Sequence, residues 1–192
     1  MRKLQISVLA MSLVLASSGS VMSQSSDGSN LTAEQLEALF AKQKTRGLVL
    51  APTGTGTQQP AADATTTAAP AATATYVELA QDEQVNIQIS FDFDSAALRE
   101  DQKPKLATLC QVMKTADVGV FRIIGHTDAS GSASYNESLS LLRAQEVKRF
   151  MVSDCGVAAT RLEAVGVGEQ FLFDKNNPNA DANRRVEFQA LS

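Results

Sequence analysis

The sequence has little of several residue types on which common functions depend. It contains one histidine, two cysteines and no tryptophan among its 192 residues, and it has no Cys-x-x-Cys pair. A zinc site needs three or four Cys, His or carboxylate ligands, so we expect no metal site, and no motif indicates a cofactor. The chain also lacks an extended basic run, and its net charge is −4. Binding of nucleic acid depends on clustered positive charge and is therefore not expected.

Long apolar runs are also scarce, and the single one lies at the start of the chain. Arg2 and Lys3 precede apolar residues 4–16, and small residues follow, which is the order of a secretory signal peptide. The apolar run is too short to cross a bilayer. We therefore expect residues 1–23 to be a signal peptide that is cleaved after Ser23. No cysteine lies near that cut, so no lipid anchor is expected, and the remaining chain is predicted to lie beyond the inner membrane.

The next part of the sequence divides into two segments of different composition. Residues 52–75 are mostly Ala, Thr, Pro and Gly, with Asp63 as their only charged residue, which is typical of a linker. Residues 24–51 contain a predicted short helix that begins with a capping box of Thr32 and Gln35. Its apolar stripe consists of Leu36, Leu39 and Phe40. The stripe packs either on the rest of this chain or on another protein, and the sequence does not choose between the two.

Residues 76–192 carry the periodicities of a folded domain. Alternating apolar and polar residues predict strands, and apolar residues at helical spacing predict helices. The predicted strands cover residues 85–93, 119–125, 161–168 and 184–191, and the predicted helices begin near Pro104 and Ser134. The order β-α-β-α-β-β predicts an α+β sandwich, in which two helices pack on one face of a small mixed four-stranded sheet.

One charged residue lies where the second of these helices should be apolar. At roughly 100° per residue, Arg143 falls in the same sector as Leu139, Val147 and Phe150. A guanidinium in such a sector must be paired, reach solvent, or await a ligand. The carboxylate that we expect beside it is Asp128, at the end of the preceding strand, because a strand end lies close to the first turns of the helix that follows it. The two residues form either an internal ion pair or a site for a zwitterion, whose carboxylate and ammonium they would bind.

The tetrapeptide GHTD, residues 125–128, contains the only histidine, His126, close to an aspartate. A Ser–His–Asp hydrolase would need a nucleophile such as Ser130 or Ser140, but the sequence has no nucleophile elbow. We therefore interpret His126 as a residue that fixes a turn. Three other polar residues are open to the same interpretation, namely Asp94, Thr127 and Asn136.

Four segments together resemble the OmpA-like C-terminal domain, a family that includes peptidoglycan-associated lipoproteins and the periplasmic part of flagellar stator proteins. The segments are FDFDSAAL (91–98), GHTDASGSASYNESLSLLRAQEV (125–147), GVGE (166–169) and NRRVEF (183–188). The second segment is long and ordered, which makes the resemblance specific. The last third departs from the family pattern, so a differently shaped loop is expected at residues 170–182.

The resemblance implies non-covalent binding of peptidoglycan through the diaminopimelate of its stem peptide. In the family, the aspartate of the GHTD segment and the arginine of the LSxxRA segment grip the D-amino-acid centre of that residue. Those positions are Asp128 and Arg143 here. Further residues implied around the site are Asp94, Thr127, Asn136, Leu139, Ser140 and Arg185.

The expected protein is thus a non-enzymatic, periplasmic peptidoglycan-binding protein that is positioned at the cell wall or outer membrane of a Gram-negative bacterium. The alternative is an adaptor that binds another envelope protein through residues 31–50, with wall binding secondary. Cys110 and Cys155 are expected to form a disulfide in that oxidising compartment, and two buried thiols are the alternative. The sequence predicts no oligomeric state.

Overall fold

Four short strands form the sheet of this protein. The structure, a computed structural model, describes residues 27–47, 76–92 and 94–191, and the predicted signal peptide and linker lie outside those ranges. The strands are β1 (Val85–Ile87), β2 (Val120–Gly125), β3 (Leu162–Gly166) and β4 (Val186–Leu191). Their order across the sheet is β1-β4-β2-β3. Because β2 and β3 are parallel while β4 is antiparallel to both β1 and β2, the predicted mixed sheet is confirmed.

Helices cover one face of this sheet. They are α1 (Ala33–Gly47), α2 (Ala107–Thr115) and α3 (Ala133–Ser153). Their buried side chains and those of the strands form one hydrophobic core, which includes Phe121 of β2 and Phe188 of β4. The predicted α+β class is confirmed, and α1 adds a third helix to the two that were predicted for this face. None of the described helices has both the length and the apolar composition needed to cross a membrane.

The first strand is shorter than the predicted strand 85–93. β4 begins at Val186, which pairs with Ile87, so the chain beyond Ile87 has no strand beside it. The Ser90 N–H donates instead to the side chain of Gln102, at 3.1 Å. Ile89 is nevertheless buried, because alternation of apolar residues reports burial and not strand pairing.

The helix starts agree with the prediction in one case of three. The reciprocal hydrogen bonds of the Thr32–Gln35 capping box are both present at the start of α1. Ser132, and not the predicted Ser134, caps α3, because its hydroxyl accepts a hydrogen bond from the Tyr135 N–H. α2 begins later than predicted, since Glu100–Leu106 form a 3-10 helix before it.

The N-terminal helix α1 belongs to the core of the domain. Leu36 and Phe40 are 0% and 1% exposed, and the Phe40 ring packs edge-on against Phe121, with 5.1 Å between ring centroids. The side chain of Gln43 accepts a hydrogen bond from the Ala190 N–H of β4 at 2.7 Å. The apolar stripe that the adaptor hypothesis needs on the surface is therefore packed on this protein's own sheet, and its third member is partly buried.

Helix α3 lies directly on the ends of β2 and β3. A Cβ atom on Gly125 would be 2.0 Å from the Ser140 carbonyl oxygen, and one on Gly166 would be 2.4 Å from the Leu141 nitrogen. No carbon atom fits at such distances, so both positions require glycine. The two glycines let the first half of α3 approach the chain segments that leave β2 and β3.

A disulfide joins α2 to the segment after α3. It links Cys110 to Cys155, whose Cα atoms are 5.4 Å apart, and both residues are buried. The two cysteines are 45 residues apart along the chain, and their bond ties α2 to the chain just beyond the end of α3.

Because α1 is part of the core, removing its buried side chains should destabilise the whole domain. Phe40→Ala should lower the free energy of unfolding by about 3–5 kcal/mol, the usual cost of removing a buried phenyl group. Glu37→Ala, at an exposed position of the same helix, should change it by less than about 0.5 kcal/mol. Urea unfolding followed by circular dichroism measures both values, and equal midpoints for the two variants would contradict the packing described here.

The disulfide should contribute measurably to stability. In the chain-entropy description, a cross-link of this length stabilises the folded state by about 4 kcal/mol before strain is subtracted. Urea unfolding with and without reductant should therefore give midpoints that differ, and the reduced protein should unfold first. Alkylation of the purified protein without prior reduction should leave both cysteines unmodified, whereas two alkylated cysteines would show that no bridge forms.

Candidate functional site

A polar cleft opens where the chain leaves the sheet after β1. Residues 88–91 form one wall, and the chain that leads into β4 contributes two charged side chains opposite them. The lining consists of Gln88, Ile89, Ser90, Phe91, Lys105, Arg143, Asp181 and Arg184. Four of these eight side chains are charged. One of them is Arg143, which the sequence analysis placed in the apolar sector of its helix.

Arg143 projects from α3 into this cleft. Its Nε donates to the Ser95 carbonyl oxygen at 3.2 Å, and its guanidinium carbon lies 4.7 Å from the centre of the Phe91 ring. Burial lowers the pKa of Arg143 below its ordinary value, although an arginine stays charged at any physiological pH. Among residues 27–47, 76–92 and 94–191, no carboxylate forms an ion pair with it. The two Nη groups therefore remain available to a carboxylate from outside the protein.

Asp128 lies just beyond β2 and is 9% exposed. Its Oδ1 accepts a hydrogen bond from the Ser130 N–H at 3.0 Å, and its Oδ2 accepts one from Arg184 Nη1 at 2.6 Å. Burial tends to raise the pKa of Asp128, but the hydrogen bonds from Arg184 and Ser130 outweigh it and hold the pKa below its ordinary value. Asp128 is thus an ionised carboxylate whose ion-pair partner is Arg184, and not Arg143.

Arg184 is the residue that the sequence analysis missed. It bridges Asp128 and Asp181 and lines the cleft, so it connects both acidic groups to the site. The alternation of β4 contained the signal, because it assigns Arg185 to the face opposite Val186. Continuing the same alternation by one residue places Arg184 on the helix-covered side, where the cleft lies.

Arg185 lies on the other side of the sheet. It is 5% exposed, and its Nε donates to the Asn86 side chain at 3.1 Å. Its guanidinium also lies 3.9 Å from the fully buried carboxylate of Glu187, which bonds to the Tyr76 hydroxyl at 2.9 Å and to His126 Nε2 at 3.1 Å. Arg185 is therefore a member of a buried polar cluster behind the sheet and does not line the cleft.

The only histidine, His126, belongs to the same buried cluster. Burial lowers the pKa of His126 below its ordinary value, against the opposing effect of its hydrogen bond to Glu187, so the imidazole is neutral near pH 7. In the part of the chain that the structure describes, no serine hydroxyl bonds to either ring nitrogen. The nucleophile–base pair that a hydrolase would need is not formed by His126 with Ser130 or Ser140.

Three of the other predicted site residues hold loops in place beneath the cleft. The Asn136 amide donates to the carbonyl oxygens of Asp128 and Ser130, at 3.3 and 3.0 Å. The Ser140 hydroxyl accepts the Gly168 N–H at 2.9 Å, and the Thr127 N–H donates to the Gly168 carbonyl oxygen, also at 2.9 Å. All three residues are buried, and the side chains of Asn136 and Ser140, together with the Thr127 backbone, fix the positions of the segments after β2 and β3.

The remaining predicted neighbours flank the cleft at the surface. Asp94 is exposed and has a positive φ of 52°, and its carboxylate accepts a hydrogen bond from the Tyr135 hydroxyl at 2.6 Å. This bond ties the segment around Asp94 to the first turn of α3. The next residue of that segment, Ser95, accepts the hydrogen bond from Arg143. Leu139 is half-buried on the same helix.

The segment 170–182, where the sequence departs from the family pattern, folds back towards Asp128. The side chain of Asn183, which is fully buried, donates to the carbonyl oxygens of Asn177 and Pro178, both at 3.0 Å. The Ala129 N–H donates to the Pro178 carbonyl oxygen at 3.0 Å. This segment delivers Asp181 to the cleft, where it pairs with Arg184.

Within the described ranges, His, Cys, Asp and Glu side chains form no group of three or more that could hold a metal ion. The chemistry that the cleft offers is that of fixed charges. It presents guanidinium and ammonium groups for anions, and beside them carboxylates that can accept hydrogen bonds from cations.

Comparison with known proteins places the chain in a family. The OmpA family profile matches residues 90–185, which is half of the chain. The chain is 36% identical over 111 residues to outer membrane porin F of Pseudomonas fluorescens, a match that covers 57% of this chain and 34% of that protein. It is 33% identical over 111 residues to outer membrane protein Omp38 of Acinetobacter baumannii, with 57% and 31% covered. The match thus spans about a third of the length of these curated relatives.

Among solved structures, the chain is similar to the peptidoglycan-associated lipoprotein from Burkholderia pseudomallei. The identity is 30%, the TM-score is 0.45, and the match covers 53% of this chain and 86% of that one. By the match of the family profile to half of its length, the chain belongs to the OmpA family.

Proposed function

We propose that this protein binds peptidoglycan non-covalently, through the D-centre of the diaminopimelate residue in the stem peptide, and is thereby positioned at the cell wall. The observation that carries the proposal is Arg143, a half-buried guanidinium on a cleft wall with no carboxylate paired to it in the described ranges. A charge removed from water without a partner is costly, so such a group is well suited to take a carboxylate from a ligand.

Asp128 is the residue that we propose binds the ammonium group of the zwitterion. Its carboxylate is ionised, and two oxygens with about four acceptor positions can take an ammonium in addition to the bonds from Arg184 and Ser130. Asp128 is bonded to Arg184, and Arg184 lines the same cleft as Arg143, which supports assigning the two charges to one ligand. A free D-amino-acid centre carries one carboxylate and one ammonium on the same carbon, and it matches this arrangement.

The same geometry supports binding without catalysis. His126 is engaged behind the sheet by Glu187, and the Ser140 hydroxyl is engaged by backbone groups of Gly168 and Glu137. We therefore propose a periplasmic wall-binding protein that leaves the glycan and the peptide bonds intact. The adaptor alternative has no comparable support, since the stripe on α1 is packed in the core.

Removing either charge should strongly weaken binding while the fold is kept. Arg143→Ala and Asp128→Asn should each weaken binding of an N-acetylated L-Ala-γ-D-Glu-diaminopimelate tripeptide by about 30-fold or more, because loss of one partner of a buried charge pair costs at least about 2 kcal/mol. Isothermal titration calorimetry measures the affinity, and co-sedimentation with purified sacculi tests the polymer.

The matched controls are Arg149→Ala, on the exposed face of the same helix, and Asp117→Asn, at an exposed ion pair with Lys44. Both should bind like the unmodified protein, and all four variants should unfold cooperatively in urea. Normal binding by both Arg143→Ala and Asp128→Asn would show that the site lies elsewhere. Release of soluble muropeptides from the sacculi would show that the protein is an enzyme.

The pH dependence follows from the groups that carry charge. The pKa of Asp128 is depressed, so its carboxylate is present above that pKa and binding is lost only as the pH falls through it. Affinity for the N-acetylated tripeptide should therefore stay constant from about pH 7 down to about pH 5, where an unperturbed imidazole would already have titrated. A tenfold change centred near pH 6 would instead indicate that His126 takes part in binding.

A further inference from the structure

We propose that the cleft contains a second anion subsite at Lys105, which binds the free C-terminal carboxylate of the stem peptide. This inference rests on the proposed function, because it concerns the same ligand in the same cleft. It adds a specificity: the protein should prefer stems that end in a free carboxylate over stems in which that end is amidated or consumed in a cross-link.

Lys105 lines the cleft together with Arg143. Its Nζ donates to the Gln88 carbonyl oxygen at 2.8 Å, and no carboxylate in the described ranges forms an ion pair with it. The ammonium thus rests on the wall that the chain forms after leaving β1. A carbonyl oxygen orients this group but leaves its charge unneutralised, so two of its three N–H bonds can serve a ligand.

The neighbouring cations show that this arrangement is particular to Lys105. Lys103, on the same 3-10 helix, pairs with Glu100 at 2.6 Å, and Arg99, just before that helix, pairs with Asp101 at 2.9 Å. Both of those cations lie outside the cleft and have acidic partners. Lys105 alone of the three is directed into the cleft and has none among the described residues.

The charge balance of the cleft calls for more than one carboxylate. Its lining carries three cations, Lys105, Arg143 and Arg184, against one acidic residue, Asp181, and Arg184 is already neutralised by Asp181 and Asp128. The cleft is therefore cationic in a chain whose net charge is −4. A single D-amino-acid centre brings a carboxylate and an ammonium together and adds no net charge. A ligand with one additional carboxylate complements the cleft better.

The stem peptide has a suitable group at its C-terminus. When the stem ends at diaminopimelate, the carboxylate belongs to the L-centre of that residue, and when it ends one residue later, it belongs to the terminal D-alanine. The first lies on the residue that Arg143 and Asp128 are proposed to hold, and the second lies on the residue that follows it. The chemistry that Lys105 recognises is the same, and the two peptide lengths can be compared directly.

The experiment measures the affinity of the mature protein for four N-acetylated peptides: the tripeptide and the tetrapeptide, each as free acid and as C-terminal amide. The unmodified protein should bind at least one free acid about fivefold more tightly than its amide, the gain typical of one partly exposed charge pair. The peptide length that shows this preference identifies the source of the carboxylate. Lys105→Ala should bind acid and amide equally, at the affinity that the unmodified protein has for the amide.

Lys105→Arg, which keeps the charge, should retain a preference for the acid, and Lys103→Ala is the matched control that should leave all four affinities unchanged. Equal affinity of the unmodified protein for acid and amide, or a preference that survives in Lys105→Ala, would overturn the second subsite while leaving the proposed function intact. Failure of the unmodified protein to bind any of the four peptides would overturn both.

Discussion

The arrangement of the site depends on the contact between α3 and the glycines at the ends of β2 and β3. With no side chain at Gly125 and Gly166, the backbone of α3 at Ser140 and Leu141 lies where a Cβ would otherwise be. At that distance the Ser140 hydroxyl reaches the Gly168 N–H, and the Asn136 amide reaches the carbonyl oxygens of the segment after β2. A helix held farther from the sheet could not make these bonds. The close approach therefore fixes the segment that carries Asp128 relative to the helix that carries Arg143, before any ligand is present.

Two arginines of this protein show how a structural cation differs from one that is available to a ligand. Arg185 is buried behind the sheet, where it donates to the side-chain oxygen of Asn86 and to the Phe171 carbonyl oxygen, with the Glu187 carboxylate nearby. Arg143 is half-buried, and it contacts the Phe91 ring and the Ser95 carbonyl oxygen. Burial disfavours the charge in both cases, and within the described ranges only Arg185 of the two forms an ion pair, with Glu187, to offset that cost. The unmatched guanidinium is stable because the cleft admits solvent, and it is the group that gains most from an anionic ligand.

Much of the fold was predictable from the sequence, because periodicity reports which face of an element is buried. The four strands, the two domain helices and the position of Arg143 in an apolar sector of α3 all follow from that signal. The pairing of strands and the exact ends of helices and strands do not follow from it. The alternation of residues 85–93 continues past Ile87 because Ile89 remains buried, although no strand lies beside it. The sequence did not show whether α1 packs in the core or docks to another protein, because a short apolar stripe is compatible with both. Arg185 was predicted as a site residue because it matches a motif of the family. The alternation of side chains along β4 instead places Arg184, and not Arg185, on the side of the cleft.

The protonation equilibria of the site argue for recognition and against proton transfer. A general acid or base is most effective when its pKa lies near the working pH, so that both protonation states are populated. Here the pKa of Asp128 is held below its ordinary value by Arg184 and Ser130 despite burial, and that of His126 is lowered by burial in a cluster on the far side of the sheet. Arg143 and Arg184 remain charged throughout the physiological range. Asp128, His126, Arg143 and Arg184 thus each keep one protonation state near neutral pH. Fixed charges of this kind can select a ligand by the placement of its carboxylates and its ammonium.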